Sequence, residues 1–188
     1  MSTRDTILAA ALTVLEGGVG NFSTRAVCAL ANVTAPTLYH HFGSADGLLS
    51  AAMSEVFAQF LASKHAAIQS SDPQTALGEG WDDYVGFAAA RPRLYAAAMG
   101  RLLEGVRIDA VEQGNAELRT LVEAVRDDGK LALPVDAAVD IVLASANAAS
   151  LLFVTAVTRG APPPQPETVA ALRGAAMRLV LKPAAHGR

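Results

Sequence analysis

The chain has 188 residues, of which 52% are hydrophobic, 18% are charged and 5% are aromatic, and its formal net charge is −3. This length is enough for one sizeable body with a small additional module. The weakly acidic charge gives no global attraction to nucleic acid, so any such contact must be local. Because alanine, leucine and valine dominate over aromatic residues, the composition predicts an all-α fold.

The sequence gives two indications about the cellular compartment. Cys28 is the only cysteine, so no intramolecular disulfide can form, and a reducing cytoplasm with a buried structural thiol is expected. Asp5 and Glu16 bracket the first apolar run, which is unlike a secretion signal. Residues 137–157 approach the length of a membrane span but include Asp140 and several other polar side chains. We therefore expect a cytoplasmic protein that does not interact with a membrane.

The first fifty residues contain the start signals of three helices. Ser2 or Thr3 can cap a first helix, which ends at the glycines from Gly17 onwards. Ser23 and Thr34 can cap two further short helices, and each is preceded by an apolar residue that can pack inside the first turns. The turn between these two helices is short. This arrangement is the spacing of a helix-turn-helix.

The remaining chain is predicted to be a helical body. A long helix capped by Ser44 leads away from the small module, and the helical stretches that follow lie at about 74–90, 93–103, 106–127 and 135–159. A proline-rich connection then precedes a last amphipathic helix. No internal repeat is present.

The segment Ser23–Leu49, STRAVCALANVTAPTLYHHFGSADGLL, resembles the DNA-binding region of TetR-family regulators. The resemblance covers residues 3–49 and implies that the second short helix enters the major groove of operator DNA. It also implies a long helix leading to a ligand-binding body, and two C-terminal helices that pair in a homodimer. The expected domains are therefore 1–47, for DNA binding, and 48–188, for ligand binding and dimerisation. The implied function is a ligand-responsive regulator, more often a repressor, released by a small apolar or amphipathic effector.

The segment departs from the family pattern in its turn and in its charge. Asn32 stands in the turn where glycine is common, which is tolerable because asparagine adopts the left-handed conformation. Ala45 stands where lysine is common, and Asp46 follows it. Residues 1–50 contain two cations, Arg4 and Arg25, and three anions. Neutralisation of phosphate should therefore be modest, and a helical homodimeric small-molecule-binding protein with weakened or lost DNA binding is the alternative.

The side chains that point away from the core of the short helix pair are the candidates for DNA contacts. A helical wheel that turns Leu38 inwards turns Pro36 and His40 outwards. These residues offer hydroxyl, guanidinium, imidazole and methyl groups to phosphates and base edges. The predicted DNA-binding residues are Arg25, Thr34, Ala35, Pro36, Thr37, Tyr39 and His40. A solvated helix pair in which Tyr39 only covers the core is the competing interpretation.

A metal site is not predicted. His40 and His41 are adjacent on a helix, so their side chains diverge by about 100° and cannot readily share one ion. No cofactor is predicted either. Because the sequence contains no catalytic Ser/His/Asp set, paired carboxylates or phosphate-binding glycine loop, we do not expect an enzyme.

The body has large apolar side chains together with polar residues that a simple core would avoid. This combination is typical of a ligand pocket, although buried hydrogen bonds that set helix register would give the same pattern. The predicted ligand-binding residues are Phe57, Phe60, Trp81, Tyr84, Tyr95, Met99, Arg101, Asn147 and Ser150.

Two strips of small and aliphatic residues are candidates for the dimer contact. One is on the alanine-rich stretch and the other on the last helix. The first consists of Ala144, Ser145, Ala148, Ala149 and Leu152, and the second of the stripe from Val169 to Val180. Packing within one chain would also explain either strip.

Overall fold

The computed structural model describes residues 2–18, 20, 22–67 and 70–183, and their side chains except those of 63–67. The predicted all-α fold is confirmed within these residues. The helices are α1 (Thr3–Glu16), α2 (Thr24–Ala31), α3 (Ala35–Phe42), α4 (Ala45–Ala67), α5 (Pro73–Ala90), α6 (Pro92–Leu103), α7 (Asp109–Asp127), α8 (Val135–Arg159) and α9 (Pro166–Val180). The expected domain boundary after residue 47 falls inside α4 and stays a prediction.

The predicted helix starts of the N-terminal module are confirmed. The Ser23 hydroxyl accepts a hydrogen bond from the Ala26 amide at 3.2 Å, and the Thr34 hydroxyl accepts one from the Thr37 amide at 3.4 Å. Asn32 ends α2 in the left-handed conformation with φ 52°. The side chains at these positions thus specify two short helices at a fixed angle, as a helix-turn-helix requires.

Helix α7 begins later than predicted. Gly105 has a φ of +80°, residues 106–108 are not helical, and Ile108 is extended and 4% exposed. The apolar pattern that begins near residue 106 therefore belongs first to a non-helical segment that buries Ile108. Only from Asp109 does it belong to a helix.

The buried apolar side chains of the described residues form two cores. The first lies among α1, α2, α3 and the start of α4, and it includes Leu94, Ala97 and Ala98 from α6. The second lies among α5, α7, α8 and α9, with Trp81 and Val142 near its centre. Cys28 is only half-buried at the edge of the first core, and not fully buried as expected. Helix α6 is consequently in contact with the N-terminal helix-turn-helix module, which we call the head and define as residues 2–50.

Helix α8 is unusually apolar for a helix with so much accessible surface. Among the described helices it is long and apolar enough to cross a membrane by length and composition, a property shared by helices in the cores of soluble proteins. Only 28% of its most apolar window is buried within this chain. A contact outside the chain is the simplest way to cover the remaining apolar surface.

Candidate functional site

The candidate DNA-binding residues are at least partly accessible on the surface of the head. On α3, Leu38 is fully buried, while Pro36, Tyr39 and His40 are exposed, so the helical wheel gave the correct orientation. Ala35 and Thr34 are also exposed, and Thr37 is half-buried. Arg25 is exposed in the first turn of α2. All the predicted contact residues are accessible on the head, and their contacts with DNA stay predictions.

The two threonines among these residues share one hydrogen bond. Their hydroxyl oxygens are 2.9 Å apart, and either can be the donor. The Thr34 hydroxyl also accepts the amide of Thr37, as the cap of α3. Because each hydroxyl has a single hydrogen, one of the two remains available to donate to a phosphate oxygen.

The charges of the head are largely used within the protein. The Arg4 guanidinium lies 5.2 Å from the centre of the Phe42 ring, which joins α1 to the end of α3. Asp46 Oδ1 is 2.7 Å from Nη2 of Arg101, a residue of α6. The acidic group at the start of α4 is therefore neutralised from the body, and the unfavourable charge balance counted from residues 1–50 is smaller in the folded protein.

A cavity of about 310 Å³ lies between α4, α5, α6, α7 and α8. Its described wall is mostly apolar and aromatic. It is formed by Phe57, Phe60, Leu77, Gly80, Trp81, Tyr84, Met99, Leu102, Ala110, Val111, Gly114, Asn115, Leu118, Leu121, Val142, Leu143, Ala146 and Asn147. A cavity of this size and composition can hold a small apolar molecule.

Asn147 connects the cavity wall to two tyrosines. Its Oδ1 accepts a hydrogen bond from the Tyr84 hydroxyl at 2.6 Å and another from the Tyr95 hydroxyl at 3.0 Å. Burial, followed by the electrostatic interaction with the nearby Tyr95 hydroxyl, raises the pKa of Tyr84 far above its ordinary value. Burial likewise raises the pKa of Tyr95. Both phenols therefore remain neutral hydrogen-bond donors at physiological pH.

Trp81 is held in the cavity wall by a second hydrogen bond to α8. The indole is 3% exposed, and its Nε1 donates to the Ser145 hydroxyl at 2.9 Å. That hydroxyl donates in turn to the Val142 carbonyl at 2.8 Å. Trp81 is the only tryptophan of the chain, so its fluorescence reports on this cavity alone.

Three of the predicted ligand-binding residues lie outside the cavity wall. Tyr95 lies behind Asn147 and reaches the cavity only through it. Ser150 is completely buried, and its hydroxyl makes no hydrogen bond of ordinary geometry within the described structure. Arg101 is turned towards the head, where it also donates to the Ser50 hydroxyl at 3.2 Å. The expectation that Ser150 and Arg101 orient a ligand directly is therefore wrong for this cavity.

Sequence reasoning missed the wall contributed by α7 and the junction made by Arg101. Apart from Asn115, the α7 wall consists of small and aliphatic residues that no pattern distinguishes from ordinary core. Asp46, the partner of Arg101 in the head, is far away in the sequence, and only the observation that Ala45 stands where lysine is common, with Asp46 after it, could have suggested this pair. Within the described residues, no group of three or more metal-binding side chains occurs.

The exposed apolar surface lies on α8 and α9, but partly on other residues than predicted. Ala144 and Ala148 are exposed as expected, and Leu151, 57% exposed, continues their stripe. Ala149 is fully buried and Ser145 binds Trp81, so both face the chain's own core. The assignment of those two residues to the dimer contact was wrong.

On helix α9, too, several residues predicted for the dimer contact are buried within the chain. Ala176 and Val180 pack in the chain's own core, and Val169 and Leu172 are only partly exposed. Leu179, which also belongs to the predicted stripe, is 59% exposed at its edge. Most of the predicted stripe therefore attaches α9 to its own chain, and the outer faces of α8 and α9 remain for a partner.

Comparison with known proteins gives the family of the head and the fold of the whole chain. Residues 7–52 match the family model of bacterial regulatory proteins of the tetR family. A search of curated proteins finds no match.

Solved structures share the fold along nearly the whole chain. A protein of unknown function from Rhodococcus sp. RHA1 has a TM-score of 0.81 at 22% identity, with 97% of each chain covered. The fatty acid degradation regulator FadR from Bacillus halodurans has a TM-score of 0.76 at 17% identity, with 94% of this chain and 95% of that chain covered. A TetR family transcription regulator from Marinobacter aquaeolei VT8 has a TM-score of 0.73 at 17% identity, with 96% of each covered.

The family match includes α2 and α3, the helices that carry the candidate DNA-binding residues. The body has the helix order of the solved regulators, although identities this low establish only the fold. With the helix-turn-helix geometry of the head, these observations identify residues 7–52 as a DNA-binding domain of the tetR family of bacterial regulatory proteins, and they show that the whole chain shares the fold of solved TetR-family regulators.

Proposed function

We propose that the chain acts in the cytoplasm as a homodimeric repressor, which leaves its operator when a small apolar molecule fills the cavity. The observation that carries this proposal is the position of α6. Met99 and Leu102 of this helix line the cavity, and Arg101 between them forms an ion pair with the head. A ligand that moves α6 would therefore act on both sites through one rigid element.

The contacts of α6 with the head are both apolar and charged. Leu94, Ala97 and Ala98 pack into the head core, and the Arg101 side chain is only 15% exposed where it meets Asp46. On the cavity side of α6, the Tyr95 hydroxyl donates a hydrogen bond to Asn147 of the cavity wall. The ligand and the operator need only favour different positions of this helix for each to weaken the binding of the other.

The dimer is supported by the apolar surface that α8 and α9 leave uncovered. A helix-turn-helix usually reads two half-sites about one turn of DNA apart, and a two-fold dimer supplies two heads at such a spacing. Helices α8 and α9 pack against each other, and each leaves apolar side chains exposed. Pairing of these faces with those of a second copy would bury Leu151 and Leu179.

Operator release tests this function. DNA flanking the gene of this protein should be retarded in a gel by the purified protein, and a solvent extract of the host cells should release it. Tyr84→Ala should need at least about tenfold more extract, because it removes part of the cavity wall and a buried hydrogen bond. Tyr39→Ala is the matched control, which should weaken DNA binding and leave the response to extract unchanged.

Two results would contradict this proposal. DNA that stays bound at every extract concentration would exclude an effector-released repressor. A soluble dimer that binds none of the flanking DNA would favour the ligand-binding protein without operator recognition.

The salt dependence of operator binding should be shallow. With two to four phosphates neutralised per head, the slope of log affinity against log salt for a dimer should be roughly −4 to −7. Arg25→Ala should weaken binding and reduce the slope by about one per head. Arg126→Ala on α7, an exposed arginine of the body, should change neither. Fluorescence anisotropy at several salt concentrations measures both quantities, and an unchanged slope for Arg25→Ala would show that Arg25 does not contact phosphate.

A further inference from the structure

We propose that the ligand of the cavity is an uncharged molecule with a hydrogen-bond acceptor, and that the side-chain amide of Asn147 recognises this acceptor. The inference rests on the proposed function, since it names the ligand class of the same cavity. It narrows that class from apolar or amphipathic molecules to neutral ones with a ketone, ester, ether or hydroxyl oxygen.

The orientation of the Asn147 amide follows from its two tyrosine partners. The contact with the Tyr84 hydroxyl is 2.6 Å, which is within the range of O–H···O hydrogen bonds and below that of N–H···O bonds. The atom facing both hydroxyls is therefore Oδ1, and both of its lone pairs are occupied. Within the described residues, Nδ2 has no acceptor. Because Asn147 lines the cavity, this NH₂ group is the donor available to a ligand.

The other polar groups of the cavity wall do not compete for this role. Asn115 is exposed on α7, so water satisfies its amide. The Trp81 N–H is already bound to Ser145. The Tyr84 hydroxyl has given its only hydrogen to Asn147. Among the described residues of the wall, Asn147 thus supplies the shielded donor.

The described wall also contains no partner for a charged ligand. It includes no aspartate, glutamate, lysine, arginine or histidine. Burial holds the pKa of Tyr84 above its ordinary value, so this phenol does not become an anion that could pair with a cation. An unpaired ion loses much of its hydration in an apolar cavity at a cost that one amide cannot offset. Carboxylates and ammonium ions should therefore be rejected.

The size of the cavity limits the length of the ligand. A water-sized group occupies about 30 Å³ in a liquid, so 310 Å³ corresponds to roughly ten non-hydrogen atoms. Four probes of this length differ only at one end: 2-nonanone carries a neutral acceptor, nonanoate a negative charge, nonylamine a positive charge, and nonane no polar group. Emission of Trp81 and the melting temperature of the full chain report their binding.

The expected order is that 2-nonanone binds and that nonanoate and nonylamine bind at least about a hundredfold more weakly. Asn147→Leu should lower the affinity for 2-nonanone by about tenfold and change the affinity for nonane by less than about twofold, since only the ketone loses a hydrogen bond. Ser150→Ala, a buried position on the same helix outside the cavity wall, is the matched control and should leave the ratio of ketone to alkane affinity unchanged.

Asn147→Leu leaves two buried tyrosine hydroxyls without their acceptor and can fail to fold. The triple variant Asn147→Leu with Tyr84→Phe and Tyr95→Phe avoids this difficulty, because replacing all partners of a buried network by apolar groups of similar shape is nearly neutral. The same loss of preference for the ketone is expected.

The possible outcomes separate this inference from the proposed function. Tighter binding of either ion, or a preference for the ketone that survives both Asn147 variants, would overturn the inference. So would the absence of 2-nonanone binding while the host extract still releases DNA, which would leave the proposed function standing. Binding of 2-nonanone through Asn147 without any change in operator affinity would support the inference and contradict the proposed function.

Discussion

Gly47→Ala is expected to abolish operator binding by displacing α3 from its place in the head. Gly47 lies in the first turn of α4, and a methyl group there would overlap the carbonyl oxygen of Phe42, the last residue of α3. The obstacle is backbone, which cannot rotate away as a side chain can. The junction between α3 and α4 must therefore open, at a cost of about 1–3 kcal/mol in the free energy of unfolding and with a change in the direction of α3.

Gly86→Ala is the matched control for this substitution. Gly86 is also helical, but it is exposed on α5 and nothing lies within 4 Å of the added methyl group. Alanine should stabilise that helix by about 0.5–1 kcal/mol and leave DNA binding unchanged. Thermal unfolding and anisotropy with operator DNA measure the two effects. Full operator affinity in Gly47→Ala would show that the angle between α3 and α4 is not what orients the head.

The double variant Leu151→Glu with Leu179→Glu should convert the protein into a folded monomer. Both leucines are more than half exposed in the single chain, so the substitutions remove little from its own core. In a two-fold dimer each occurs twice, and burial of each leucine contributes roughly 1.5–3 kcal/mol. Loss of this burial and repulsion among four carboxylates should raise the dimer dissociation constant about a thousandfold or more. Operator affinity should also fall, because binding of one head no longer raises the effective concentration of a second head at the other half-site.

Leu103→Glu provides the control for the added charge. Leu103 is 87% exposed at the end of α6 and belongs to neither α8 nor α9, so its substitution should leave the dimer intact. Light scattering with circular dichroism measures mass and helicity together. A double variant that remains a dimer at the same concentrations would place the contact between copies on another surface. Deleting residues 161–188 is a poorer test, since α9 also contributes Ala176 and Val180 to its own chain's core.

The head could be predicted from sequence because its decisive interactions are local. Ser23 and Thr34 bind amides three residues ahead, and Asn32 needs only its own backbone conformation to end α2. Interactions of this range are readable as patterns of residue types. The exposed set on α3 followed from one inward residue, Leu38, and the period of the helix.

The body could be predicted only in outline because its decisive interactions are between distant segments. The alanine-rich α8 has small residues on nearly every face, so periodicity did not separate the outward Ala148 from the buried Ala149. Arg101 looked like a ligand group because it is close to Tyr95 in sequence, yet its charge is directed to Asp46. Side-chain direction in such cases depends on which helices meet, and that information is not local.

In the proposed function one helix, α6, couples the cavity to the operator-binding head, and the reciprocity of binding tests this coupling most directly. The measurement is the dissociation constant of the molecule recovered from the operator-releasing extract, followed by Trp81 emission with and without saturating operator DNA. Because coupling between two binding sites is reciprocal, the operator should weaken ligand binding by the same factor by which the ligand weakens operator binding, of the order of 5–150-fold. Equal ligand affinity in the free and the DNA-bound protein would contradict the account.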